Sequence, residues 1–130
     1  MYSSTTRAIC VSVEPFFAED ESSPEDDYYV WVYRIRIENT GTESIQLCSR
    51  RWEITNACGQ TQEVRGPGVI GEQPFLGPGD VFEYTSGAPL TTPSGIMTGS
   101  YMMETARGEA FEVAIPAFSL DSPYQPIRLH

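Results

Sequence analysis

The sequence predicts an all-β domain, an antiparallel sandwich of about seven strands. Three observations carry this. Apolar residues recur with a period of two along most segments. Clusters of Gly, Pro, Asn and Asp separate those segments at intervals of mostly about eight to twelve residues. No segment combines the length and the 3.6-residue period of a helix that would cross over a parallel sheet. Alternation of this kind belongs to strands with one face on a core, which pair antiparallel.

The elements follow in order. From Ala8 to Phe17, Ile9, Val11 and Val13 alternate with Cys10, Ser12 and Glu14, as in a half-buried strand. Glu19 to Asp27 holds six carboxylates in nine residues and reads as a solvated loop. Tyr28 to Glu38 is the clearest strand, with Tyr29, Trp31, Tyr33, Ile35 and Ile37 toward the core and Arg34, Arg36 and Glu38 toward water. Asn39 to Glu43 supplies a turn. Ile45 and Leu47 then share one parity while Trp52 and Ile54 carry the other. A slip of one residue flips every side chain, so a bulge or bend is expected near Ser49-Arg50-Arg51. Gln60 to Arg65 is a strand, Asp80 to Thr85 a short one, and Gly87 to Gly95 a loop on account of its breakers. Ile96 to Thr105 places Met97, Gly99, Tyr101 and Met103 on one face, and Ala110 to Phe118 turns Phe111, Val113 and Ile115 inward.

At 130 residues the chain is expected to be one domain, its core spanning about residues 7–120 between flexible termini. The balance of 18 acidic against 8 basic residues, net charge −10, argues against nucleic acid and anionic lipid as partners. Every cation is Arg, so there is no Lys for a Schiff base or a P-loop. No apolar run approaches the roughly 20 residues that span a bilayer. The N-terminus has no signal-peptide core. The three cysteines, Cys10, Cys48 and Cys58, form no C-x-x-C pair. A soluble, cytoplasmic protein with reduced thiols is expected, with Cys10 and Cys48 buried as small hydrophobes and Cys58 at a turn.

Gly66-Pro67-Gly68-Val69-Ile70-Gly71 reads G-x-G-x-x-G, the pattern of a pyrophosphate cradle when a strand enters and a helix leaves. A strand enters. Pro74, Gly77, Pro78 and Gly79 forbid the helix, and with it the aligned N–H groups that hold the anion. Three readings stay open for the run. It is a loop shaped by its glycines, or an anion nest over Gly68 to Gly71 helped by Arg65, or a docking surface presenting Val69, Ile70, Pro74, Phe75 and Leu76. The candidate binding loop is therefore Arg65, Gly66, Gly68, Val69, Ile70, Gly71 and Phe75.

Leu47 to Ile54, Glu63 to Pro74, Pro78 to Gly87, Thr92 to Met103, and Phe111 with Ile115-Pro116-Ala117-Phe118 together resemble the bacterial ApaG family. The resemblance covers nearly the whole chain, in order. It implies an immunoglobulin-like, fibronectin type III-like sandwich. It also implies a role in cobalt resistance and magnesium efflux, exercised through contact with another protein, since related domains occur inside larger interaction proteins. The neighbouring gene in bacteria commonly encodes a diadenosine tetraphosphate hydrolase, so a sensor of a pyrophosphate-containing nucleotide is the alternative. Two positions depart from the family pattern. Pro67 stands where an acidic residue is usual, and Arg51 where a His is usual.

Catalysis finds little support in the residues. Activated nucleophiles need an oriented base, and the only His is His130, at the chain's end. No catalytic residue and no cofactor is expected. Cobalt prefers imidazole and thiolate ligands, which this chain does not cluster. The candidates for a weak Mg²⁺ contact are Glu19, Asp20, Glu21, Asp26 and Asp27, although the loop lacks the ligand spacing of an EF-hand. Arg50 and Arg51 beside Trp52 are either surface arginines flanking a core ring or an anion or partner patch.

Overall fold

A computed structural model of the chain describes residues 1–124; His130 lies outside them. Nine strands are present: β1 Tyr2–Thr6, β2 Ile9–Phe17, β3 Tyr29–Asn39, β4 Ile45–Asn56, β5 Thr61–Pro67, β6 Phe75–Leu76, β7 Val81–Leu90, β8 Gly95–Thr105 and β9 Ala110–Leu120. They form two antiparallel sheets, ordered β1-β2-β3-β7 and β5-β4-β8-β9, with β6 also paired to β4. The sheets pack face to face as a sandwich. The core lies between them, with Trp31, Ile35, Ile37, Leu47, Tyr101 and Phe118 among its fully buried side chains. The five residues expected toward the core in β3 are buried, with Arg34 and Arg36 exposed between them, while Glu38 is half-buried and Val30 is buried as well.

The two strands beyond the expected seven have physical reasons for escaping the pattern. Tyr2–Thr6 falls in the segment expected as a flexible tail. It is Ser/Thr-rich and shows no apolar period, yet it pairs with β2 from Tyr2↔Val13 to Thr6↔Ile9. Its polar side chains reach across to the second sheet. Ser4 Oγ donates to the Ala114 carbonyl at 3.0 Å, and Ala114 N–H donates to Thr6 Oγ1 at 3.3 Å. The two-residue β6 is held at its end by the buried Asn39, whose Nδ2 donates to the carbonyls of Leu76 and Glu43. A third difference lies in β7, which continues through Gly87 to Leu90 where a loop was expected. Pro89 is tolerated because β7 is an edge strand, with a neighbour on one side only.

The parity change in β4 is a bulge, and β9 carries a second one. In β4 the register shifts between Leu47 and Ser49, so Cys48 is the extra residue, one position before the expected stretch. In β9 the ladder passes from Ile115↔Gly99 to Phe118↔Met97. Pro116 and Ala117 absorb the shift, and the inward face moves from Val113 and Ile115 to Phe118 and Leu120. Cys10 and Cys48 are half-buried rather than buried, and Cys58 is exposed.

The two long edges of the sandwich differ. Where β1 faces β9, the side-chain bonds from Ser4 and Thr6, with Ser119 N–H donating to Tyr2 Oη, tie the sheets together. Where β5 faces β7, the sheets part and leave a cavity of about 550 Å³.

Candidate functional site

The Cys48 bulge determines where the glycine run leaves the sheet. On one side of β4, β5 pairs as far as Ser49↔Pro67, and β6 resumes with Gln46↔Phe75. The run is the excursion between them, and the bulge anchors both its ends. The Cys48 carbonyl accepts from Gly68 N–H at 2.8 Å and from Gln73 Nε2 at 2.8 Å, while Leu47 N–H donates to Pro74 O at 3.0 Å.

Within the excursion, Val69 and Glu72 exchange backbone hydrogen bonds at 2.8 and 2.9 Å. The two residues between them have positive φ, Ile70 at 48° and Gly71 at 75°, the pair of left-handed residues that a type I′ turn demands. Gly68, at φ 58°, is required by a close approach, since a Cβ there would lie 2.1 Å from the Glu72 carbonyl oxygen. Val69 is turned into the core at 1% exposure, while Ile70 stands 59% exposed at the tip. A β-branched residue in the left-handed region is a true outlier.

The candidate loop residues do not all meet. Arg65 lies across the ladder from Arg51, on the outer face, with its Nε 2.5 Å from Glu63. It is paired there and does not help a nest. Arg51 is paired with Glu53 and Glu63, which puts the departure from the usual His on the outside of the sheet. Phe75, 75% exposed, borders a different hollow beside Gln46 and Glu104, away from Ile70. The N–H groups of Gly68 and Val69 are already donated within the protein, so they are withdrawn from any phosphate. The acidic segment folds as two short 3₁₀ turns, Glu19–Glu21 and Pro24–Asp26. Among the described residues no three His, Cys, Asp or Glu side chains gather closely enough to hold a metal ion. Glu19 instead accepts from Tyr124 Oη at 2.5 Å.

Arg50, which the sequence offers together with Arg51 as either a surface arginine or part of an anion or partner patch, lies at the centre of this edge. Arg50 shares the inward parity of Trp52 and Ile54, and it lies across the ladder from Gly66. A Cβ on Gly66 would come within 3.0 Å of both terminal guanidinium nitrogens, so the glycine leaves room for the side chain to fold over it. Arg50 Nη1 donates to the carbonyls of Pro67 and Gly68 at 3.1 and 2.9 Å. Strand parity counted back from Trp52 was the available signal for this inward orientation.

The cavity has Trp52, Val64, Val69, Ala88 and Met97 on its walls and Arg50, Tyr33, Tyr84 and Ser86 among its polar groups. Behind it the hydroxyls of Tyr84 and Tyr101 share a hydrogen bond of 2.5 Å. Burial pushes the Tyr33, Tyr84 and Tyr101 hydroxyls above their ordinary value, and the Arg50 guanidinium opposes the rise at all three. The sign for stability follows. Unfolded tyrosines ionise near pH 10, while the folded ones hold their protons, so stability is intact below that pH and falls as pH rises past it. Phenolate absorbance should show Tyr84 and Tyr101 silent until the protein unfolds. Their titration near pH 10 in the folded state would contradict this burial.

Among the described residues no helix is long and apolar enough to cross a membrane. The family model for the ApaG domain matches residues 19–105. Protein ApaG of Paramagnetospirillum magneticum is 61% identical over 130 residues, covering 100% of both chains. Protein ApaG of Parvibaculum lavamentivorans is 62% identical over the same length and coverage. Among solved structures, the ApaA protein from Bordetella pertussis superposes with a TM-score of 0.86 at 47% identity, covering 90% of this chain and 95% of that one. The likeness in sequence thus extends over the whole sandwich, loop and cavity edge included, and the chain belongs to the ApaG domain family.

Proposed function

We propose that this chain is a binding module without catalytic activity of its own, and that it docks a partner protein through the tip of the glycine loop. The role implied by the family resemblance, cobalt and magnesium homeostasis, would be exercised through that contact. One observation carries the reading. Ile70 is held in a left-handed conformation at φ 48° with most of its surface in water. The conformation costs roughly 1–2 kcal/mol, and Asn at this position would avoid most of it. Strain kept at an exposed apolar tip, on a loop anchored at both ends by the Cys48 carbonyl, is the mark of a presented contact residue. The described residues contain no His, and no nucleophile among them has an imidazole base.

Affinity capture from native cytoplasm, with quantitative mass spectrometry, tests this. Proteins retained by the wild type should fall about tenfold or more with Ile70→Asn, as expected when a hot-spot residue worth about 1.4 kcal/mol or more is removed. Phe75→Ser, on the separate hollow, should leave capture unchanged within a factor of about two. Equal capture by wild type and Ile70→Asn would overturn the reading.

A further inference from the structure

The cavity at the open edge carries an inference separate from partner docking: Ile70 and Gly71 of the loop tip border it, but its charged group is Arg50. Among the described residues, Arg7, Arg36, Arg51, Arg65 and Arg107 each pair with a carboxylate. Arg34 stands on the exposed face of β3. Arg50 differs from all of them. It is half-buried, it lines the cavity, and no carboxylate of the described chain lies within 4.0 Å of it. Its two hydrogen bonds both leave from Nη1, to neutral carbonyls, while a guanidinium carries five N–H donors. In a chain with 18 acidic residues, a half-buried cation that lines an apolar hollow with no described carboxylate within 4.0 Å is complementary to an anion brought from outside.

The rest of the cavity selects what that anion is attached to. Its volume of about 550 Å³ lies within the roughly 300–1,000 Å³ of small-molecule sites. Trp52, Val64, Val69 and Met97 offer an apolar bed, and the hydroxyl-bearing Tyr33, Tyr84 and Ser86 line the same cavity as the guanidinium. A polyanion is disfavoured. Arg51, next in sequence, and Arg65, opposite Arg51 across the ladder, are already paired with Glu63, and the net charge of −10 repels further negative charge. We infer that the hollow between β5 and β7 binds a small amphipathic monoanion, an aromatic or branched apolar body with one carboxylate- or sulfonate-like group seated on Arg50.

A fluorescent pair tests this on the intact protein. The probe 1-anilinonaphthalene-8-sulfonate has an aromatic body and one negative charge, and N-phenyl-1-naphthylamine is the same ring system without the sulfonate. The sulfonate should bind wild type saturably at one site, with blue-shifted emission. Arg50→Gln should weaken it about tenfold or more, as loss of a charge-assisted hydrogen bond implies, and change the neutral probe by no more than about twofold. Since Arg50→Gln also removes two bonds to the loop, a second measurement uses wild type alone. Amide shifts induced by the sulfonate should centre on Gly71, Ser86 and Gly87, which line the cavity. No saturable binding, equal weakening of both probes, or shifts centred elsewhere would overturn the inference.

Discussion

Trp52→Ala is expected to cost about 3–5 kcal/mol of stability and to lower the thermal midpoint by roughly 10–20 °C. The indole is 3% exposed. It packs edge-on against Tyr33 at 5.5 Å and against Phe118 at 5.9 Å between ring centroids. Across the ladder it rests on Gly99, where a Cβ would lie 2.9 Å from its Cε3. Truncation removes the ring that joins the two sheets and widens the cavity beside it, and on the β8 side Gly99 has no side chain to refill the space. Against a total of about 5–15 kcal/mol for a domain of this size, the variant should be marginally folded. Denaturant titration measures it, and a loss below about 1.5 kcal/mol would mean that the inter-sheet aromatic cluster contributes far less than its burial implies.

Gly68→Val is expected to cost about 3 kcal/mol, from two sources of similar size. A β-branched residue at φ 58° pays roughly 1–2 kcal/mol in backbone strain. The new side chain also meets the Glu72 carbonyl, whose oxygen would be 2.1 Å from Cβ, so the Val69–Glu72 turn must open. Opening it draws Val69 from the core, at about 1.5–2 kcal/mol for a buried valine. Hydrogen exchange gives the local reading. The Val69 and Glu72 amides, protected by their mutual bonds, should exchange far faster, while those of β3 keep their order of protection. A stability change within about 0.5 kcal/mol would show that the loop yields without strain.

Much of the fold was legible because its strands obey a local rule. β3 reads directly, since Tyr33, Ile35 and Ile37 are buried and Arg34 and Arg36 exposed, a period that needs no tertiary information. The bulge in β4 was visible as a change of parity between Leu47 and Trp52, but not its position. That single residue decides the site, because a bulge at Cys48 turns Arg50 inward with Trp52, while one near Arg50 leaves its face undetermined. β1 was hidden because its pairing satisfies backbone and hydroxyl groups without apolar contrast. β6 was hidden because two residues carry no period. The prolines after the glycine run excluded a nucleotide-binding helix correctly. Nothing in the residue types announced that Ile70 takes a left-handed conformation, since propensity argues the reverse. The cavity was beyond sequence altogether, as it forms where the edges of two sheets distant in the chain meet.

Ile70 is where structure and proposed function bear on one side chain. If it is held at φ 48° for what it presents, replacing it with a residue suited to the turn should improve folding. Ile70→Asn makes an Asn-Gly pair with Gly71, the favoured occupants of a type I′ turn. Relief of roughly 1–2 kcal/mol of strain, less about 0.5–1 kcal/mol for the part of the isoleucine that is buried, leaves a net gain of about 0.5–1 kcal/mol. The direct measurement is the thermal midpoint of Ile70→Asn beside wild type, with a rise of about 2–4 °C predicted. A fall of several degrees would show that Ile70 serves the fold and not a partner, and would contradict the claim that the tip is kept strained for binding.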